Sequence, residues 1–275
     1  MLNALKKALL VLVLFYFAFL LFLYINQRDF LYHPDPKAPD TAILRGVDFE
    51  TVTVKTSDGI DLNGWYIPAK GEKQTLVVFH GNSGNFGDRV GKLSEYVERG
   101  YGVLFTEYRG FAGNAGTPSE QGLYKDARAF MAYIGDKQID DIVIYGESIG
   151  TGVAVKMAYE NARMAKGSHK NDIKAVVLEA GYSAMSDIAA SHYPVFPVKL
   201  LLKDKFDARA YIADIQVPLL IVHGSDDTII PIEVARQLFD AAQQPKTFLE
   251  REGAGHNNLY DHGALEGVLE FIEEL

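Results

Sequence analysis

Three residues far apart in the chain could together carry nucleophilic chemistry: Ser148 in "YGESIGTG", Asp227 in "IVHGSDDTIIP" and His256 in "GAGHNNLYD". Ser148 stands between Gly146 and Gly150, where the apolar run Ile142 to Tyr145 gives way to an Ala/Val/Met-rich segment. A G-x-S-x-G between a strand and a helix is a nucleophile elbow, a strained turn that lifts the serine hydroxyl clear of the backbone. Side chains two residues away would collide in such a turn, and glycines remove them. The helix that follows adds unpaired amide donors and a positive dipole end beside the reacting carbonyl. Phosphate binding is the competing use of a Gly-rich turn. A Walker A loop needs a Lys that this turn lacks, and a dinucleotide fingerprint from Gly150-Thr151-Gly152 would need glycine where Val155 stands.

A serine needs a base to take its proton. Of the seven histidines, His256 fits best, in a Gly-flanked loop between a strand and the last helix. His262 competes but falls near or inside that helix, and His33, His169 and His192 lie in linker or irregular segments expected at the surface. The imidazole in turn needs a carboxylate to hold its tautomer. Asp227 keeps a G-x-x-D spacing from Gly224 and is preferred to Asp226, although the pair could also serve turn and capping chemistry. His223 with Asp226 and Asp227 hints at a metal, but no further ligand cluster supports one, and no metal or cofactor is expected. An oxyanion would be held by the amide of Ile149, just after the nucleophile, and by that of Asn82, where the backbone turns after "VVFHGN". His80 and Gly81 are expected to shape that loop.

Such groups must be positioned by a scaffold. "DFETVTVKTSDGIDLNGWYIPA" alternates apolar and polar residues around Asp58-Gly59 and reads as a hairpin. Then apolar runs, "TLVVFH", "GYGVLFTEY", "IVIYGES", "IKAVVLEAG", "PLLIVHG" and "KTFLERE", alternate with helical segments. The helices are expected at Asp88 to Arg99, after Ser119 as N-cap, after Ser148, from Pro231, and from about Tyr260 to Glu274. Continuous apolar strands alternating with amphipathic helices predict an α/β fold, a mostly parallel twisted sheet with helices on both faces. Open sheets of this kind bind ligands at the carboxyl ends of their strands, where His80 to Asn82, Ser148, Asp227 and His256 all fall.

The bulk numbers are those of a globular domain: 275 residues, 48% hydrophobic and 23% charged. A net charge of −9 without a basic stripe disfavours nucleic acid as a partner. The absence of cysteine removes disulfides, thiol catalysis and Cys-based zinc sites. No N-x-S/T sequon occurs. The amino terminus departs from this pattern. After Lys6 and Lys7, "ALLVLVLFYFAFLLFLYI" runs uncharged from Ala8 to Ile25, roughly 27 Å as a helix and enough to cross a bilayer core. It shows no polar face, and "INQRDFLYHP" offers no small-residue cleavage site, so an uncleaved anchor in the bilayer is expected. "RDFLYHPDPKAPD" reads as a short linker after it. Lys6 and Lys7 at one end nearly balance Arg28 and Lys37 at the other, so the basic residues do not fix the orientation.

Taken together, "VVFHGNSGN", "YRGFAGNAGTPSEQGLYKDA", "YGESIGTGVA", "HGSDDTIIP" and "GAGHNNL" resemble the α/β-hydrolase superfamily of serine hydrolases. More narrowly, the chain is similar to single-pass, membrane-anchored abhydrolase-domain proteins, among them esterases, lipases and serine aminopeptidase-like hydrolases. The resemblance runs from about Phe30 to the C-terminus. The chain order Ser148, Asp227, His256 matches that superfamily. The resemblance implies an α/β-hydrolase fold with Ser148 as nucleophile, Asp227 as acid, His256 as base and the amides of Asn82 and Ile149 as the oxyanion hole. It also implies a cytoplasmic N-terminus with the catalytic domain outside. The expected organisation is an anchor over residues 1–27 and a hydrolase domain over residues 28–275. A short apolar cap at about 182–216 would either cover the sheet edge or line an acyl channel near the membrane. The expected substrate is a small-molecule or lipid-like acyl ester. Thioester or peptide hydrolysis, and a non-catalytic membrane-bound scaffold, are the alternatives.

Overall fold

Along each central strand the side chains alternate between two separate apolar clusters, so the sheet is buried from both sides. In the strand Ile142–Glu147, Ile142 and Ile144 join one cluster, while Val143 and Tyr145 join the other. A strand buried on both faces must read as an unbroken apolar run, and that is how the sequence reads. The computed structural model describes residues 1–164 and 171–275.

The main sheet has eight strands: β1 (Glu50–Lys55), β2 (Asp61–Ile67), β3 (Thr75–Phe79), β4 (Gly102–Phe105), β5 (Ile142–Glu147), β6 (Ile173–Glu179), β7 (Leu219–Gly224) and β8 (Lys246–Arg251). Their spatial order is 8-7-6-5-3-4-2-1. Only β2 runs against its neighbours, and β1–β2 is the expected hairpin, with Gly59 at φ +88 in its turn. Strand β4 lies beyond β3, and the chain then returns over β3 to form β5. The reversal of strand order between β3 and β5 is the switch point at which such sheets open a crevice.

After the N-terminal helix α1 (Leu2–Leu31) come α2 (Val90–Glu98), α3 (Glu120–Asp136) and α4 (Ile149–Ala162). Helices α3 and α4 cover one face with Phe130, Ile134, Val153 and Met157, and α2 covers the other with Leu93 and Tyr96. Ser119 caps α3 as expected, its Oγ accepting the Gly122 amide at 3.1 Å. The helix expected from Asp88 instead opens as a 3-10 turn, Phe86–Arg89, because Asn85 and Asp88 bond each other's backbone in a capping box.

Three short helices form the segment expected as a cap: α5 (Met185–His192), α6 (Val198–Leu201) and α7 (Arg209–Ile212). The remaining two, α8 (Ile232–Ala241) and α9 (Ala264–Glu273), flank the last strand. Helix α9 starts after a 3-10 turn, Leu259–His262, and so begins later than its expected start near Tyr260.

Helix α1 is long and apolar enough to cross a membrane, and none of its residues is buried. It continues through Leu31, past the expected anchor boundary at residue 27. The Pro- and Asp-rich stretch after it is not a free linker. His33 and Pro34 pair in parallel with Ser83 and Gly84, the Asp35 carbonyl accepts the Ala112 amide at 2.8 Å, and the Lys37 carbonyl accepts Asn85 Nδ2 at 3.0 Å. Each backbone group of this irregular segment that finds a partner on the domain reduces its freedom.

The motif "YRGF…KDA" owes its pattern to one ion cluster. The Arg109 guanidinium lies 2.8–3.1 Å from the buried Asp126 carboxylate and 2.9–3.0 Å from Asp58 in the hairpin turn, so it ties β4, α3 and the β1–β2 turn together. Arg109→Met strands the Asp126 carboxylate in the core and should lower unfolding stability by about 3 kcal/mol, read from denaturant unfolding, with Arg109→Lys losing less.

Candidate active site

Strands β3, β5, β7 and β8 all point their carboxyl ends to one rim, which brings four loops together there. At the end of β5 the chain turns into α4 at Ser148, whose backbone sits at φ 52, ψ −121. A non-glycine residue in that region carries strain of roughly 1–3 kcal/mol, and the surroundings hold it there. The Ser148 amide donates to Glu179 O at 2.9 Å, and its carbonyl accepts from both the amide and the hydroxyl of Thr151. The flanking glycines are required by close approach. A Cβ on Gly150 would lie 2.0 Å from the Phe79 carbonyl oxygen, and one on Gly146 would lie 2.7 Å from Thr151 Cα.

Ser148 Oγ lies 3.0 Å from His256 Nε2, and His256 Nδ1 lies 2.7 Å from Asp227 Oδ2. A carboxylate only accepts, so Nδ1 carries the ring proton and Nε2 is left to accept from the serine hydroxyl. The second Asp227 oxygen accepts the amides of Ile229 and Ile230, each at 2.8 Å. The loops of Asp227 and His256 are stitched together, with Asp226 N on Ala254 O at 2.9 Å and Gly253 N on Ser225 Oγ at 2.8 Å. Burial pushes the Asp227 carboxyl up, but the His256 ring, the Ile230 amide and His223 outweigh it and hold the carboxyl below its ordinary value. Burial pushes the His223 ring below its ordinary value, and its Nε2–H donates to Ile230 O at 2.9 Å.

Of the other sequence candidates, Asp226 turns to Ser225 Oγ and takes no part in the Ser148–His256 chain. His262 bonds Glu252 O and Asn258, away from Ser148. His33 and His192 are exposed, and His169 lies outside the described residues. Among the described residues no group of three His, Asp or Glu could hold a metal ion.

The amides of Asn82 and Ile149 have no acceptor in the protein among the described residues, which leaves both free for a ligand. Gly81 brings the first of these loops against Ser148, since a Cβ there would sit 3.5 Å from Ser148 Cβ. The loop is pinned from beneath. His80 bridges Gly81 O at 2.8 Å and Glu107 Oε1 at 2.6 Å, and Glu107 also accepts the amides of Phe86 and Tyr108. From the outside, Asn82 Nδ2 donates to Leu31 O at 2.6 Å, at the end of α1.

A second buried charge group supports the elbow, and the reading of the sequence missed it. Glu147, next to Ser148, takes Arg89 at 2.8 Å and Lys92 at 2.9 Å; Lys92 also reaches Glu179 at 2.6 Å, and Tyr145 donates to Glu179. The signal was available. Glu107, Glu147 and Glu179 each sit at or just past the end of an otherwise apolar strand, where an unpaired carboxylate would be expensive. Burial raises the Glu147 carboxyl, but Lys92 and Arg89 pull it well below its ordinary value.

The same regions carry likeness to known proteins. The BD-FAE family model matches residues 64–241. The uncharacterized protein Rv2307c of Mycobacterium tuberculosis is 33% identical over 266 residues, covering 93% of this chain and 90% of that protein. The lysophosphatidylserine lipase ABHD12 of Mus musculus is 30% identical over 229 residues, covering 76% of this chain but 56% of the lipase. Among solved structures, the Pyrococcus furiosus esterase Pf2001 superposes with a TM-score of 0.67 at 17% identity, covering 89% of this chain and 98% of the esterase. At that identity the likeness is one of fold.

Because the Glu147 carboxyl is depressed in the folded state, its stabilisation is complete above the ordinary glutamate value of about 4.3 and is lost as pH falls below it. Glu147→Gln should therefore unfold more easily at pH 7, by about 2 kcal/mol, and show a shallower loss of stability than the wild type below about pH 4. Thermal unfolding across pH 3 to 8 reads both effects. Equal acid slopes in the two proteins would refute the assignment.

Proposed function

Because this chain belongs to the BD-FAE family of the α/β-hydrolase superfamily, we propose that it is a serine hydrolase of carboxylic esters, with acyl, lipid-like substrates. The observation that carries this reading is the unbroken hydrogen-bond chain from Ser148 Oγ through His256 to the buried Asp227, at 3.0 and 2.7 Å. Its support from likeness is coarser: one relative is named a lipase and one solved structure an esterase.

In this reading Ser148 Oγ attacks the acyl carbonyl while His256 Nε2 takes its proton. Asp227 stabilises the imidazolium that forms. The carbonyl oxygen, now negative, is received by the amides of Asn82 and Ile149, each worth roughly 3 kcal/mol of transition-state stabilisation. His256 then returns the proton to the departing alcohol, which leaves an acyl-Ser148 ester. Water, deprotonated by His256, attacks that ester, and His256 returns the proton to Ser148 Oγ as the acid is released. Every proton is handled by protein groups, so the scheme calls for no cofactor or metal.

The proposed organisation is an anchor over residues 1–27 and a hydrolase domain over 28–275, with a cap at about 182–216. The run of α1 from Ala8 to Gln27, uncharged and without a buried residue, supports a single membrane span. We place the N-terminus in the cytoplasm and the domain on the other side.

A fluorophosphonate probe tests the chemistry directly. Strong labelling of the wild type, lost in both Ser148→Ala and His256→Ala, is expected. Asp227→Asn should keep the fold and lose about 10⁴-fold in turnover, since it leaves the imidazole in the wrong tautomer. A folded, detergent-solubilised wild type that does not label would move the reading to a non-catalytic, membrane-bound scaffold.

A further inference from the structure

The helix α1 is bracketed by charge: between Lys7 and Arg28 no residue is charged. That interval spans roughly 32 Å along a helix, close to the ~30 Å thickness of a bilayer's hydrocarbon core. Arg28 therefore marks the water boundary on the domain side, and there its guanidinium pairs with Asp204 at 2.7 and 3.0 Å.

From that pair the cap does not run away from the membrane. It runs back along α1. Lys203 N donates to Gln27 Oε1 at 2.7 Å, and the Phe196 ring lies 5.9 Å from Phe19 and 5.7 Å from Tyr16. Tyr16 OH donates to Val195 O at 3.1 Å. Tyr16 precedes Arg28 by about three helical turns, roughly 18 Å along the axis. The tip of the cap thus lies beside the apolar half of the helix, at about the depth of the bilayer midplane.

The chemistry of this segment suits that depth. No residue from Tyr193 to Val198 carries a charge. Tyr193, Val195 and Leu200 are 55%, 73% and 79% exposed, a high exposure for apolar side chains grouped on one loop. Backbone groups in hydrocarbon must be satisfied internally. Pro194 and Pro197 have no amide to satisfy, the amides of Phe196, Val198, Leu200 and Leu201 are bonded within the segment, and Tyr16 covers the Val195 carbonyl, which among the described residues leaves the amides of Val195 and Lys199 as its open donors. Lys199 is the one charge, paired with Asp187 at 3.1 Å, and its long stem lets that head stay near the boundary.

We propose that residues 193–201 are inserted into the leaflet crossed by the domain-side half of α1, so that the partner of this surface is the acyl-chain region of the bilayer. The proposal rests on reading α1 as a membrane span, and it deepens the acyl-ester reading. The end of α1 is bonded to the Asn82 loop, and His192 at the end of α5 bonds Ile229 O beside Asp227. Both walls of the site are thereby fastened to the inserted elements, and a lipid ester reaches Ser148 from the leaflet and not through water.

The chain contains no cysteine, so single cysteines can be introduced without further change. Full-length Val195→Cys and Leu200→Cys, each labelled with an NBD fluorophore, are reconstituted in phosphatidylcholine vesicles with or without brominated acyl chains. Leu21→Cys in α1 and Lys137→Cys at the opposite rim serve as controls. Insertion predicts that brominated lipid quenches positions 195 and 200 at least half as strongly as position 21, while position 137 stays unquenched. Quenching at 21 alone overturns the proposal and leaves the cap in water or against another protein. No quenching at 21 overturns it together with the anchor. Fluorophosphonate labelling of the same samples reports the hydrolase reading independently of either result.

Discussion

The contact on which the site depends is the approach of the first turn of α4 to the last residues of β3. With no side chain at Gly150, the helix start lies against the Phe79 and His80 carbonyls, and a single methyl would put an atom 2.0 Å from one of them. That approach sets the Ser148 hydroxyl beside the Asn82 loop, and it fixes where the Ile149 amide points. Everything else follows from the parallel register. Strand β3 neighbours β5, and β7 neighbours β8, so a loop at each carboxyl end has its chemical partner within reach. The strain at Ser148 is the local consequence of forcing a strand to become a helix within one residue.

Charges beneath the rim hold this geometry. Three glutamates at strand ends take three different duties: Glu107 holds His80 and the loop of Asn82, Glu147 holds Arg89 and Lys92, and Glu179 receives Lys92 and Tyr145. Buried ion groups are weak contributors to net stability but strict about position, because losing one partner leaves the other uncompensated. The mechanism proposed above needs two amides and one hydroxyl kept in register, and that strictness would serve it.

Much of the fold was legible in the sequence because strands buried on both faces read as apolar runs, and because Gly146 and Gly150 around Ser148 mark a turn that few other structures need. The G-x-x-D spacing favoured Asp227 over Asp226, and it is Asp227 whose carboxylate lies beside the His256 ring. The strand-end glutamates stand out in the sequence, but the partners within their ion groups do not. Lys92 and Glu179 are far apart in the chain, and nothing local in "GKLSEYVE" separates a lysine that bridges two buried carboxylates from one on a solvated face. The reach of α1 through Leu31 was hidden for a similar reason. Gln27 and Arg28 look like the polar end of an anchor, yet their partners are Lys203 and Asp204 in the cap. The segment after α1 reads as a linker by its prolines, whereas its backbone is bonded to the loop of Asn82.

The docking of that segment removes a hinge. A domain on a flexible leash would tumble above a lipid surface and meet it in any pose. Here helix, cap and loop are bonded from Tyr16 to Lys37, so the stalk and the domain turn as one body. Where α1 crosses a bilayer, a thinner or thicker membrane changes the tilt of the helix, and it tilts the domain by the same angle. With α1 as a membrane span, membrane thickness would help set the angle at which the crevice faces the lipid.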